Sequence, residues 1–200
     1  MWLGEPVLCC VTSALGNLTM QTFLPYSDFN RSALALDRQR LGKQRVECKQ
    51  IVLALGNQTY GWQNHPAVRM WRGHARVLCE YGFIICTEWV KRGYVDSLKD
   101  FFEYEDNLMY LRGVPRVEPL WLGQAEFHRS HQSNLIRKNP SHYQHQFPGV
   151  AADLPYIWPL ERCVSVIDPH LPNTTNASVV PMYSGVAWAS KIRDQQANGD

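Results

Sequence analysis

Between Pro66 and Gly93 the apolar residues Val68, Trp71, Ala75, Leu78, Cys79, Ile85, Cys86 and Trp89 recur at three- and four-residue steps. That spacing lays them along one face of a helix, whereas a strand would scatter them over both of its faces. Pro66 suits a first helical turn and Gly93 a stop, so one long central helix is predicted. An earlier helix, capped by Ser27 or Asp28, is predicted to run to about Leu55 before Gly56, with Leu34, Leu41, Cys48, Val52 and Leu55 on its inner stripe. A third, acidic one is expected from Asp96 or Ser97 to Leu111, before a loop marked by Gly113, Pro115 and Pro119. A short fourth fits Ser130 to Lys138, closed by Asn139 and Pro140. No stretch sustains the alternation of a half-buried strand, and no repeat is visible. The expected fold class is therefore mainly α: a single compact helical domain with long loops and an irregular C-terminal tail.

Two hundred residues with 45% hydrophobic content suffice for one core and are too few for two ample ones. Cys9, Cys10, Cys48, Cys79, Cys86 and Cys163 show no CxxC pair, so reduced thiols and a cytoplasmic location are expected. Residues 1–19 lack a basic start and break their apolar run at Gly4, Pro6 and Ser13, which argues against a signal peptide or a membrane span. They are read as an appended leader, with Met20 as the expected biological start. Residues 20–159 form the expected helical domain, and 160–200, rich in Pro, Asn, Ser and Thr, a loosely structured tail.

The formal charge is only +2, yet six Lys or Arg lie between Arg31 and Lys49 against Asp37 and Glu47. A polyanionic partner would therefore meet a patch and not the whole surface. On a helical wheel Glu47 falls about 120° from the apolar stripe, beside Arg40 and Lys43, at the expected wetted edge of the core. Cations mixed with aromatics and amides recur from Tyr60 to Arg76 and from Phe127 to Tyr143. DNA binding needs such a mixture, cations for phosphates and flat or amide side chains for the space left by a displaced base. Arg40, Lys49, Arg69, Arg72, Arg129, His131, Arg137, Lys138, His142 and Tyr143 are the candidate DNA contacts. Trp62, Asn64, His65 and Trp71 are the candidate base pocket, although Trp71 also fits the core stripe.

Three stretches carry a family likeness. Gln39-Arg40-Leu41 is followed by Glu47; Glu88-Trp89-Val90-Lys91-Arg92-Gly93-Tyr94 follows His65; and an aromatic, basic segment ends in Tyr143 and Phe147. In order and spacing they resemble the pyrimidine-dimer DNA glycosylases of the phage endonuclease V type, over roughly residues 20–159. The resemblance implies a helical enzyme that displaces and excises a damaged or modified pyrimidine from double-stranded DNA, and Glu47, Arg45 and Lys43 are the candidate catalytic residues. No cofactor or metal and a monomeric state are expected. Genome repair and antiphage defence both fit, with a UV dimer or a hypermodified, for example glucosylated, pyrimidine as substrate.

The sequence also departs from that family. Its nucleophile is the α-amine of a Thr exposed by removal of the initiator Met, an amine apt because a pKa near ~8 leaves more of it neutral than a Lys near ~10.4. Here Thr22 follows Met20 and Gln21, and Arg40 stands where the family has a catalytic His. Two mechanisms stay open. Glu47 activates water or stabilises positive charge on the sugar, or a Lys43 or Lys49 amine with a depressed pKa forms an imine and supports AP-lyase action. For Glu47 the expectation is a carboxylate held ionised by its cationic neighbours. Two rivals remain: a metal-dependent nuclease using the histidines from His128 to His145, and a noncatalytic DNA-binding adaptor.

Overall fold

A computed structural model describes residues 20–57 and 59–159; the expected leader and tail lie outside them. The described residues form α1 (Phe29–Ala35), α2 (Arg38–Gly56), α3 (Pro66–Met70), α4 (Ala75–Lys91), α5 (Lys99–Leu111), α6 (Ala125–Lys138) and α7 (Pro140–Tyr143), with no strand among them. The mainly α expectation holds. No helix among these residues is long and apolar enough to cross a membrane.

The first predicted helix is two. Leu36 and Asp37 are extended, and the Asp37 carboxylate accepts Arg40 N–H at 2.8 Å, capping α2 afresh. The carbonyls left open at the end of α1 receive the Arg92 guanidinium, which donates to Leu36 O at 2.6 Å and to Ala33 O and Leu34 O at 3.1 Å. Leu34, expected on the inner stripe, is 62% exposed because this break turns α1 onto Phe29, Ser32 and Ala33.

The second predicted helix also divides. A turn over Trp71–His74 separates α3 from α4, and Gly73 adopts φ +81° there, a left-handed conformation that costs glycine little. His74 Nδ1 lies 2.8 Å from Val117 O, fastening this corner to the loop after α5. α4 remains central, with α1, α2 and α5 packed on it. Gly82 lets α5 approach closely: a Cβ there would lie 2.5 Å from the Phe102 ring. α5 opens at Lys99 under Asp96, whose carboxylate accepts Leu98 N–H at 2.9 Å and Lys99 N–H at 2.6 Å. α6 begins five residues before the predicted Ser130. Cys48, Cys79 and Cys86 are buried free thiols, as their apolar settings suggested.

The segment Gln21–Pro25 runs against these helices without regular secondary structure, and side chains supply the hydrogen bonds for its backbone. Gln44 on α2 accepts Phe23 N–H at 2.8 Å and donates to Gln21 O at 2.7 Å. Tyr81 on α4 donates to Phe23 O at 2.6 Å, Tyr156 to Thr22 O at 2.9 Å, and Gln132 on α6 to Pro25 O at 2.7 Å. His131 Nδ1 accepts Leu24 N–H at 3.0 Å while His128 Nδ1 donates to Leu24 O at 2.7 Å. Two histidines of α6 thus serve the two backbone groups of one residue.

Candidate active site

Arg40, Lys43, Gln44 and Glu47 follow one another on α2 at helical steps and share a side of it. This side meets the Gln21–Phe23 segment and the C-terminal end of α6. Glu47 is 3% exposed, so its carboxylate relies on protein donors. Oε1 accepts Gln21 N–H at 3.2 Å and lies 3.5 Å from Lys43 Nζ, while Oε2 accepts Gln44 Nε2–H at 2.6 Å. Burial pushes the Glu47 carboxyl up to about 7, against the pull of the Lys43 ammonium, the Gln21 amide and Lys138. This corrects the expectation of a carboxylate simply held ionised: desolvation outweighs the cations, leaving the group poised between its two forms at neutral pH.

Above Glu47 the end of α6 brings Arg137 and Lys138. Arg40 donates to Lys138 O at 3.1 Å, and burial together with Lys43, Arg40 and Arg137 lowers the Lys138 pKa, with Glu47 opposing. Asn134 donates to Gln21 Oε1 at 3.4 Å and accepts from Arg137 at 3.0 Å. Of the residues proposed from sequence, Arg40, Lys43, Glu47, Arg137 and Lys138 therefore gather at one place. Arg40 also pairs with Asp37 at 3.0 Å, which leaves a cationic rim over a buried acid.

Arg45 and Lys49 point elsewhere, because each lies two residues, about 200° of helical turn, from Glu47. Arg45 pairs with Asp96 and covers the Trp89 ring at 4.7 Å; Lys49 Nζ lies 5.3 Å from the Phe101 ring centre, its pKa lowered by burial. Both fasten α2 to its neighbours and neither joins Glu47. Trp71 is fully buried against Trp121 and Tyr81, with its indole N–H 3.3 Å from Thr22 Oγ1, so it belongs to the core and not to a pocket wall. Tyr143 is likewise fully buried and its hydroxyl accepts Asp37 N–H at 3.0 Å. His131, also without exposure, holds Leu24 and cannot meet a phosphate; burial drives its pKa well below the usual value. Arg129 and His142 are exposed, the latter 3.0 Å from Gln146 Nε2.

A second group forms before α3. Trp62 is 41% exposed and Asn64 exposed, whereas His65 is buried and caps α3 by accepting Ala67 N–H at 3.1 Å. His65 packs edge-on between Trp62 at 5.6 Å and Trp158 at 6.1 Å, and Trp158 lies 4.6 Å from Tyr156. Arg69 is exposed on α3, and Arg72 donates to Gln63 O at 2.9 Å beside a cavity of about 270 Å³. Tyr156 and Trp158 join this wall to Thr22, next to Glu47's partner Gln21. Sequence reasoning passed over both, along with Gln44 and Gln21, because none stands out by charge or periodicity; for Gln44 the i−3 relation to Glu47 was the available signal.

Metal ligation needs an imidazole lone pair, and the backbone takes those of the paired histidines. His128 Nε2 accepts Gly123 N–H at 3.0 Å and His131 Nδ1 accepts Leu24 N–H. Among the described residues no three His, Cys, Asp or Glu side chains are grouped to hold a metal ion.

A helical protein that sets a buried acid beneath cations from two helices is suited to chemistry on a polyanion. Residues 20–101 match the family model described as pyrimidine dimer DNA glycosylase, which supports the family that the motifs resemble. The matched part contains Glu47, Gln44 and the Trp62–His65 wall, while Arg137 and Lys138 lie beyond it. No curated protein and no solved structure gives a significant match to the chain.

Proposed function

We propose that this protein excises a damaged pyrimidine, in the first instance a UV dimer, from duplex DNA, with Glu47 as its catalytic carboxylate. The observation that carries the reading is the buried Glu47 under the rim of Arg40, Lys43, Arg137 and Lys138. The cations grip phosphates on either side of a distorted nucleotide and fix its register. The ionised fraction of Glu47 takes a proton from water, or faces the positive charge that grows on the sugar as the base departs. Trp62, Asn64 and His65, with Tyr156 and Trp158 behind them, line the space for a displaced base.

AP-lyase action is the second reading. Of the two lysines considered, Lys43 stands 3.5 Å from Glu47 and Lys49 is turned to Phe101, so Lys43 is the amine to examine. Mass spectrometry of bases released from UV-irradiated, glucosylated and unmodified duplex, with borohydride present in a parallel set, tests both readings. Release from irradiated DNA, lost in Glu47→Gln with DNA affinity retained, is the expected result. Release from glucosylated DNA alone would move the substrate to a hypermodified phage pyrimidine and the role to defence. No release from any of the three would overturn the enzymatic reading and favour a DNA-binding adaptor, whereas full release by Glu47→Gln would remove Glu47 as the catalytic carboxylate.

A further inference from the structure

Gln44 is fully buried and lies one helical turn before Glu47. Its amide has four hydrogen-bonding places toward its neighbours, and the surroundings dictate which end is which. Oε1 faces Phe23 N–H at 2.8 Å, with the Tyr81 hydroxyl 3.2 Å away on the same oxygen. Nε2 faces Gln21 O at 2.7 Å and Glu47 Oε2 at 2.6 Å. A backbone N–H cannot accept and a backbone carbonyl cannot donate, so turning the amide over would set donor against donor and acceptor against acceptor. One N–H of Gln44 is thereby aimed at Glu47 with fixed polarity. An ionised oxygen welcomes that hydrogen, whereas a protonated Oε2 would set its own hydrogen against it. The remaining oxygen, Oε1, looks toward Gln21 N–H and Lys43 Nζ.

We propose that Gln44 is a positioning residue for the reaction: its amide, locked by Phe23 and Gln21, favours the carboxylate form of Glu47 and leaves Oε1 turned toward Lys43 and the DNA. The reaction invoked is that of the glycosylase reading above; the charge control of Glu47 does not depend on it. The titratable groups that act on or feel this carboxyl are Lys43 and Cys48 from α2, Tyr81 from α4, Lys138 from α6 and Tyr156 from the segment after α7. The two lysines favour its ionised form, and the phenols and the thiol, whose own ionisation burial suppresses, stay neutral beside it. Gln44 differs from all of them in touching Glu47 Oε2 with a hydrogen whose direction cannot change.

The test reads the Glu47 protonation midpoint twice in the full chain, from the side-chain carboxyl carbon resonance and from the pH–rate profile of base release from UV-irradiated duplex. Gln44→Met keeps the length and removes the donor, and the midpoint should rise by about one pH unit in both readouts while DNA affinity is unchanged. Gln44→Glu keeps an acceptor for Phe23 N–H but places two carboxyl oxygens where donor and acceptor stood. The pair must then share a proton and titrate in two steps, one below and one above the wild-type midpoint. Should Gln44→Met not fold, the two-step titration of Gln44→Glu decides. A wild-type midpoint in whichever variant folds would overturn the proposal and leave Gln44 as packing. If wild-type protein releases no base, the glycosylase reading falls, while the carboxyl resonance still shows whether Gln44 sets the charge of Glu47.

Discussion

Replacing Glu47 by Gln separates the cost of the buried charge from everything else in the molecule. The wild-type carboxyl titrates near 7 in the folded protein, against 4.5 when free of its surroundings. A raised carboxyl pKa means that the folded state binds the proton more tightly. The stability associated with it is fully present below about 4.5 and is lost as pH rises through about 7. At 1.36 kcal/mol for each tenfold change, the loss approaches about 3 kcal/mol by pH 8.5. Glutamine never ionises, so the variant escapes that loss. It keeps the shape of the side chain but turns an NH2, which cannot accept, toward either Gln44 Nε2–H or Gln21 N–H, much as the protonated wild-type carboxyl sets its one hydrogen against one of them. The two proteins should therefore be close in stability at pH 4.5, and the variant ahead by about 3 kcal/mol at pH 8.5. Urea unfolding of both at matched pH measures the difference, and titrating groups that do not interact with Glu47 cancel in the subtraction. A difference that stays constant within ~0.5 kcal/mol over this range, well below the ~3 kcal/mol expected, would refute the reasoning.

If Glu47 works as a base, single-turnover base release should rise with pH through about 7 and then level off; a rate that falls over the same range makes it the acid. Arg137→Ala and Lys138→Ala should each weaken binding to any duplex and lower the slope of log affinity against log salt by about 1, measured by fluorescence anisotropy. Asp37→Ala removes the α2 cap and should cost ~1 kcal/mol in urea unfolding, with the first turn around Arg40 loosened. Gly82→Ala drives a Cβ to 2.5 Å from Phe102 and should lower stability by roughly 1–3 kcal/mol. Activity should persist in excess EDTA, since the lone pairs of His128 and His131 are engaged by backbone; its loss would restore the metal-dependent rival.

Helix content was legible because 3.6-residue periodicity is a local property, and all four predicted helices exist in some form. Their breaks were not. Asp37 and Gly73 sit inside unbroken apolar patterns, and only the cap and the positive φ interrupt the chain there. Arg40, Lys43 and Glu47 could be grouped from sequence because all three lie on one helix. Arg45 and Lys49 were misplaced because residue type alone does not say which flank of α2 Asp96 and Phe101 occupy. His128 and His131 read as a metal or phosphate cluster from their spacing, yet that spacing serves the two sides of Leu24. Nothing in the local sequence announces that partner, 107 residues away from His131.

The irregular stretch from Gln21 to Pro25 ties early and late parts of the polypeptide together. Its hydrogen-bond partners stand as far as 134 residues along the chain, at Tyr156. The portion that bears the family signature, 20–101, includes the acid but omits His128, His131, Gln132 and Tyr156. Cut out alone, that portion would leave the Leu24 N–H and carbonyl and the Thr22 carbonyl without their side-chain partners, and Gln21 would lose its contact with Asn134. Closure of so distant a loop comes late in folding. The arrangement around Glu47 should then be complete only once α6 and the segment carrying Tyr156 are in place, so a partly folded or truncated chain would hold the acid without its setting.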